Sequence, residues 1–199
     1  MSTSSYEKPD FWSQKAKKEG YPARSVYKLE EIDSKFRLFK PGLKVLDIGA
    51  APGSWSLWVL KKLAGSGFLV AVDLQPLAIS PPYGNFFFIQ GDLYAEKVRA
   101  ELLARGPYGL VLSDAAPATT GNRIVDQGAS ESIVEAVIAY GLETLAPGGA
   151  LVAKIFQGGA ERPLLDQLRK RFATAKAFKP QACRQESFET YLVATGFKP

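Results

Sequence analysis

Short, nearly uninterrupted apolar runs alternate along this chain with longer segments of helical period. That alternation constrains the fold more than any other feature. The runs span residues 44–48, 68–72, 85–90, 110–112, 150–156, 175–178 and 190–195, and several end on a carboxylate or a glycine. Helical spacing fills 11–19, 25–36, 54–63, 95–103, 127–145 and 164–172; in the second of these Val26, Leu29, Ile32 and Phe36 recur on one face. Strands that read as continuous apolar runs, joined through helices by short connections, belong to a mostly parallel sheet covered on both faces. We therefore expect an α/β, doubly wound, mostly parallel seven-stranded sheet with helices on both sides, as one domain over 1–199. Ligands of such sheets bind outside the carboxyl ends of the strands. The residues there are Asp47 to Gly53, Asp73, Gly91 with Asp92, Asp114 to Pro117, and Lys154 to Gln157.

What the chain lacks narrows the chemistry. It has no histidine and one cysteine, Cys183. Ser-His-Asp and Cys-His nucleophile systems, His-ligated metals, an internal disulfide and a cysteine zinc site are excluded. No stretch approaches the ~18 apolar residues of a membrane span. The start, MSTSSYEKPD, carries no apolar run behind a basic residue, so no secretory leader is expected and the location is read as cytoplasmic. The net charge of +5 is unevenly spread. Residues 1–44 hold ten basic and six acidic groups, 161–199 hold eight and four, and 45–160 hold seven and ten. Basic ends around an acidic centre suit a polyanionic partner and a cationic ligand, although ordinary solubilising charge looks the same.

Two constellations carry chemistry. In the first, Asp47-Ile48-Gly49-Ala50-Ala51-Pro52-Gly53-Ser54-Trp55 leaves a strand and opens a helix without meeting G-x-G-x-x-G. Asp73, twenty residues after Gly53, sits where a carboxylate holds ribose hydroxyls, and Asp92 where an adenine amino group wants an acceptor. There is no Walker-type lysine. The set resembles the S-adenosylmethionine (SAM) site of Rossmann-like methyltransferases; a tight turn with strand-end aspartates holding local amides is the plainer reading. In the second, Lys28 lies on the amphipathic helix, Asp114 follows the fourth strand, Lys154 interrupts the fifth and Glu189 precedes the seventh. A lysine inside an apolar strand must reach solvent, pair with a carboxylate or act.

These blocks together resemble the FtsJ (RrmJ) family of 2′-O-ribose RNA methyltransferases over essentially the whole chain. The likeness is carried by Ala16-Lys17-Lys18-Glu19-Gly20-Tyr21, the block from Arg24 to Leu29, Asp47 to Trp55, Asp114 to Pro117, Leu145-Ala146-Pro147-Gly148-Gly149, Lys154-Ile155-Phe156-Gln157-Gly158, and Tyr191 to Pro199. The resemblance implies a Lys-Asp-Lys-Glu tetrad at Lys28, Asp114, Lys154 and Glu189, with Lys154 as proton acceptor. It implies SAM as cofactor, held through Asp47, Gly49, Gly53, Trp55, Asp73, Asp92 and Asp114, and no metal. Ser54 departs from the second glycine usual in the family's Pro-Gly-Gly-Trp. The implied reaction is methylation of a ribose 2′-hydroxyl, on a uridine of large-subunit ribosomal RNA, by a monomer. Alternatives are a transfer-RNA ribose methyltransferase and a catalytically silent RNA-binding or ribosome-assembly factor. The basic helical segment 1–40 would supply Lys28 and part of the RNA surface. That surface would comprise Lys15, Lys17, Lys18, Arg24, Lys35, Lys179 and Arg184, with Tyr6, Phe11, Trp12 and Tyr21 interleaved.

Overall fold

The computed structural model describes residues 10–184 and 186–199. Two short helices, α1 (Phe11–Lys18) and α2 (Val26–Phe36), come first. Asp10 caps α1 by accepting from the Ser13 amide at 2.8 Å. On α2, Val26, Leu29 and Ile32 form one buried stripe, as spacing of three predicts. The chain then alternates: β1 (Lys44–Ile48), α3 (Ser54–Leu63), β2 (Phe68–Asp73), β3 (Phe86–Gln90), α4 (Glu96–Ala104), β4 (Tyr108–Ser113), α5 (Arg123–Thr144), β5 (Leu145–Phe156), α6 (Glu161–Arg171), β6 (Phe172–Phe178) and β7 (Glu189–Phe197).

The seven strands form one sheet in the order β3-β2-β1-β4-β5-β7-β6. The first five pair in parallel, while β7 runs antiparallel to both β5 and β6. Chain order reverses between β1 and β4, which opens a crevice above their carboxyl ends. Alternate residues of each strand feed two apolar layers. Leu46, Ile48, Val111, Ala153 and Leu192 pack with α4, α5 and α6. Val45, Leu112, Val152, Tyr191 and Val193 pack with α2 and α3. Each fully buried Leu, Ile or Val contributes roughly 1.5–3 kcal/mol, so α2 is anchored by its own stripe and carries Lys28 to the crevice.

The helix expected over 127–145 begins at Arg123 instead. Asn122 caps it, its side chain accepting from the Ile124 and Val125 amides. The first turn projects Ile124 and Val125 outward, so apolar periodicity does not mark it. β5 starts at Leu145 rather than residue 150, because Leu145 pairs with Tyr108 across a register shift that absorbs the Pro-Gly-Gly bend. β6 starts at Phe172, three residues before the expected start.

Candidate active site

The turn after β1 is shaped by two glycines in the left-handed region, Gly49 at φ 75° and Gly53 at φ 112°. A side chain on Gly49 would lie 2.5 Å from Ala115 Cβ, so the loops after β1 and β4 meet only because this residue has none. Asp73 braces the turn from β2. One of its oxygens accepts from the Ala51 amide and the other from the Gln75 amide, both at 2.8 Å. Ser54, the departure from the family pattern, accepts the Ala23 amide at 2.7 Å and ties the turn to the α1–α2 linker. Asp92 lies exposed beyond β3 and accepts from the Tyr94 amide at 2.9 Å.

Two residues expected at the ligand have sealed side chains. Trp55 is 2% exposed; its indole N–H donates to the Ser25 carbonyl at 2.8 Å and its ring stacks on Tyr191. It therefore joins α3 to α2 and buttresses the site from behind. Asp47 is 1% exposed, takes the Ser56 hydroxyl at 2.6 Å on one oxygen, and leaves the other without a partner. Burial first, and then the negative charges of Asp114 and Asp73, push its carboxyl up to about 7, against the pull of the Ser56 hydroxyl. Among the described residues, neither Asp47 nor Asp73 has an ion-pair partner. An acidic turn whose Asp73 and Asp92 carboxylates stand at strand ends with no ion-pair partner among the described residues fits a ligand that carries positive charge and hydrogen-bond donors, as SAM does.

The four residues read as a tetrad converge above β4, β5 and β7. Lys154 Nζ lies 3.0 Å from Asp114 Oδ1 and donates to the Asp114 carbonyl at 2.6 Å. Lys28 Nζ lies 2.7 Å from Glu189 Oε1. Strand register explains the convergence: Lys154 pairs with Tyr191 and Phe156 with Glu189, so all four side chains share the α2 face of the sheet. Lys28 and Lys154 are only 8% and 9% exposed. Burial works against the Lys28 ammonium, yet the Asp114 and Glu189 charges outweigh it and its pKa rises. Burial likewise works against the Asp114 carboxylate, but Lys154 and Lys28 hold its pKa below the usual range.

Tyr191 belongs to this cluster and was not singled out from sequence. Its hydroxyl donates to Asp114 Oδ1 at 2.7 Å, and burial, with Asp114 and Glu189 nearby, keeps it protonated. Its place two residues after Glu189 on a strand, hence on the same face, was the available signal. Cys183 is buried beside the Lys28–Glu189 pair, and burial followed by the Glu189 charge pushes its thiol up to about 12.

The residues read as an RNA surface divide. Lys17 and Lys18 are exposed on α1, while Lys15 lies over the Tyr27 ring at 4.3 Å. Lys35 stands 4.2 Å over Phe178, and Lys179 donates to the Ser187 carbonyl. Arg184 lies 3.9 Å from Asp10. Arg24 is engaged within the fold: its guanidinium pairs with Asp10 and donates to the Ala182 carbonyl at 2.5 Å, so it clamps α1 and α2 to the β6–β7 connection. Glu31 completes that clamp by accepting from the Gln181 and Ala182 amides. Trp12 and Tyr21 pack at the α1–α2 junction and Phe11 is exposed, whereas Tyr6 lies outside the described residues.

The model of the FtsJ-like methyltransferases matches residues 21–197. The ribosomal RNA large subunit methyltransferase E of Treponema denticola is 52% identical over 198 residues, which is the whole of both chains. Its counterpart in Nitratidesulfovibrio vulgaris is 46% identical, over 95% of this chain and 94% of that one. Among solved structures, a putative ribosomal RNA methyltransferase of Plasmodium falciparum superposes with a TM-score of 0.77 at 27% identity, over 89% of this chain and 98% of that one.

Proposed function

This chain belongs to the FtsJ-like methyltransferase family, and on that premise we propose that it transfers the methyl group of SAM to a ribose 2′-hydroxyl of ribosomal RNA, on a uridine of the large subunit. The observation that carries the reading is the pairing of Lys154 with Asp114 beside that of Lys28 with Glu189, on the face of the sheet that meets the acidic turn. SAM, when bound, supplies a methyl group already activated for displacement. The chain must therefore hold two reactants in line and take up one proton. Asp73 and the Asp92 region are the groups for the ribose and the base of SAM, Gly49 and Gly53 allow close approach, and Asp114 faces its positive charge.

Lys154 is the proton acceptor. Its nitrogen meets two acceptors on Asp114, the carbonyl and Oδ1. The ion pair is that of the ammonium, so Lys154 first gives up a proton to solvent; as a neutral amine it keeps two N–H bonds for those acceptors and has its lone pair for the 2′-hydroxyl. Lys28, whose raised pKa keeps it charged, faces the negative charge that grows on the attacking oxygen. Glu189 fixes Lys28, and Tyr191 with Trp55 behind it fixes Asp114. The segment 1–40 belongs to this unit because it delivers Lys28. RNA binds along Lys15, Lys17, Lys18, Lys35, Lys179 and Arg184, and affinity falls by about 0.7–0.9 log units per phosphate contact per log of salt.

The test is transfer of tritiated methyl from SAM to large ribosomal subunits, free ribosomal RNA and transfer RNA, followed by alkaline hydrolysis. Alkali cleaves RNA through the free 2′-hydroxyl, so label in an alkali-stable dinucleotide of ribosomal RNA is expected. Label recovered in mononucleotides overturns the ribose reading. Label confined to transfer RNA moves the substrate, and no label in any RNA favours a silent assembly factor.

A further inference from the structure

At the rim of the tetrad lies a group of residues the mechanism does not use. Phe188 immediately precedes Glu189, and its carbonyl accepts the Gln157 amide at 2.7 Å, which fixes it beside the end of β5. Its ring meets Phe156 edge to face, centroids 5.1 Å apart. The guanidinium of Arg123, at the start of α5, stands 5.3 Å from the Phe188 centroid. Arg123 is the sole Lys or Arg between Arg105 and Lys154, in the acidic centre of the chain. Among the described residues it makes no ion pair, and its guanidinium faces this ring. Next to it Ile124 and Val125 are 81% and 52% exposed, on the helix that follows the Asp114 loop. A partly buried ring with a cation near it, flanked by bare aliphatic side chains, sits one residue from the group that holds Lys28.

We propose that Phe188, with Arg123, Ile124 and Val125, forms the platform on which an unpaired RNA base at the methylated nucleotide stacks. The proposal rests on the reading of this site as a ribose methyltransferase. A base is the occupant because its two faces are apolar and π-rich, while the phosphate it brings complements Arg123. Aromatic rings and guanidinium planes are the groups on which splayed-out bases of single-stranded RNA stack. A 2′-hydroxyl that reaches Lys154 leaves its own base within a nucleotide's span of this rim, since Lys154 and Phe156 are two residues apart on one strand face. The platform also accounts for the outward turn of Ile124 and Val125, which otherwise spend apolar surface on solvent.

The experiment compares Phe188→Leu, Phe188→Tyr and Arg123→Ala with wild type in steady-state methylation of large ribosomal subunits lacking the modification, with SAM affinity measured in parallel. Leucine keeps the bulk that packs on Phe156 and removes the stacking face. Loss of base–aromatic stacking predicts a KM for RNA raised about tenfold or more in Phe188→Leu, at unchanged SAM affinity. Phe188→Tyr recovers most of that loss, and Arg123→Ala has a smaller effect that shrinks further in the Phe188→Leu background. Phe188→Leu at wild-type KM, or Phe188→Tyr as impaired as Phe188→Leu, overturns the platform while leaving ribose methylation intact. A wild-type protein that places no methyl on ribose overturns both.

Discussion

The two halves of the crevice are built on opposite plans. On the β4–β5–β7 side, charges are paired side chain to side chain: Lys154 with Asp114, Lys28 with Glu189, and Tyr191 donating inward. On the β1–β2 side, Asp73 spends its oxygens on backbone amides, and Asp47 is buried with one oxygen unmatched. One half is electrostatically complete before anything binds; the other is acidic and short of a cation. The difference teaches how labour is divided. On the proposed function, the complete half is preorganised for a proton transfer, where reorganisation would cost rate, and the incomplete half draws its balance from a ligand, so its energy appears as affinity.

Substitutions can pull the halves apart. The largest effect is expected at Lys154. Lys154→Ala should lower kcat by about 10²–10⁴-fold, the usual worth of positioned proton transfer, while calorimetry finds SAM affinity nearly unchanged. Lys154→Arg should fail as badly, because guanidinium does not release its proton; wild-type turnover in that variant removes Lys154 as base. Asp73→Ala should do the reverse and weaken SAM binding by roughly 1.5–3 kcal/mol, as for a hydrogen bond to a charged group, with the smaller change in single-turnover rate at saturating SAM. Unchanged affinity would place the ribose contact elsewhere.

Asp47 sharpens the contrast through pH. Its carboxyl titrates near 3.9 in an unfolded chain and near about 7 when folded. The raised value favours the protonated form, so the stability tied to it is present at acid pH and is lost as pH climbs through that window. Asp47→Asn carries no such loss. Relative to wild type, its melting temperature should therefore improve steadily from pH 4 to pH 8; parallel curves would show that the fold does not raise the Asp47 pKa above its unfolded value. Smallest is Ser54→Gly, which removes the acceptor of the Ala23 amide. It should cost about 1 kcal/mol of stability, with turnover little altered, as a shift in the denaturant midpoint would show.

Local chemistry was legible in the sequence; long-range partnership was not. The bounds of β1 and α3 follow from an apolar run ending in a glycine turn, and the structure has them at the same residues. Lys154 stood out because a lysine in an apolar strand has few reasons to be there, and its partner Asp114 followed the neighbouring strand. The sequence points to Trp55 for a ligand and Arg24 for RNA, and nothing nearby in the chain reveals the Ser25 and Ala182 carbonyls to which their N–H groups donate. Tyr191 was passed over because a tyrosine in TYLVAT looks like any core residue until strand register sets it opposite Lys154. The first turn of α5 carries exposed aliphatic residues, so a rule built on burial starts that helix late.

The antiparallel strand has a consequence for the order in which the protein is made. β7 follows the other six described strands, yet it lies inside the sheet, and among the described residues β6 pairs with no other strand. While a ribosome is still translating, β1 to β5 can assemble as they emerge, but β6 must wait and the edge of β5 stays open. Glu189 arrives with the insertion of β7, so Lys28, made more than a hundred and fifty residues earlier, gains its partner only then. A nascent chain can hold the turn after β1 long before it can pair Lys28 with Glu189.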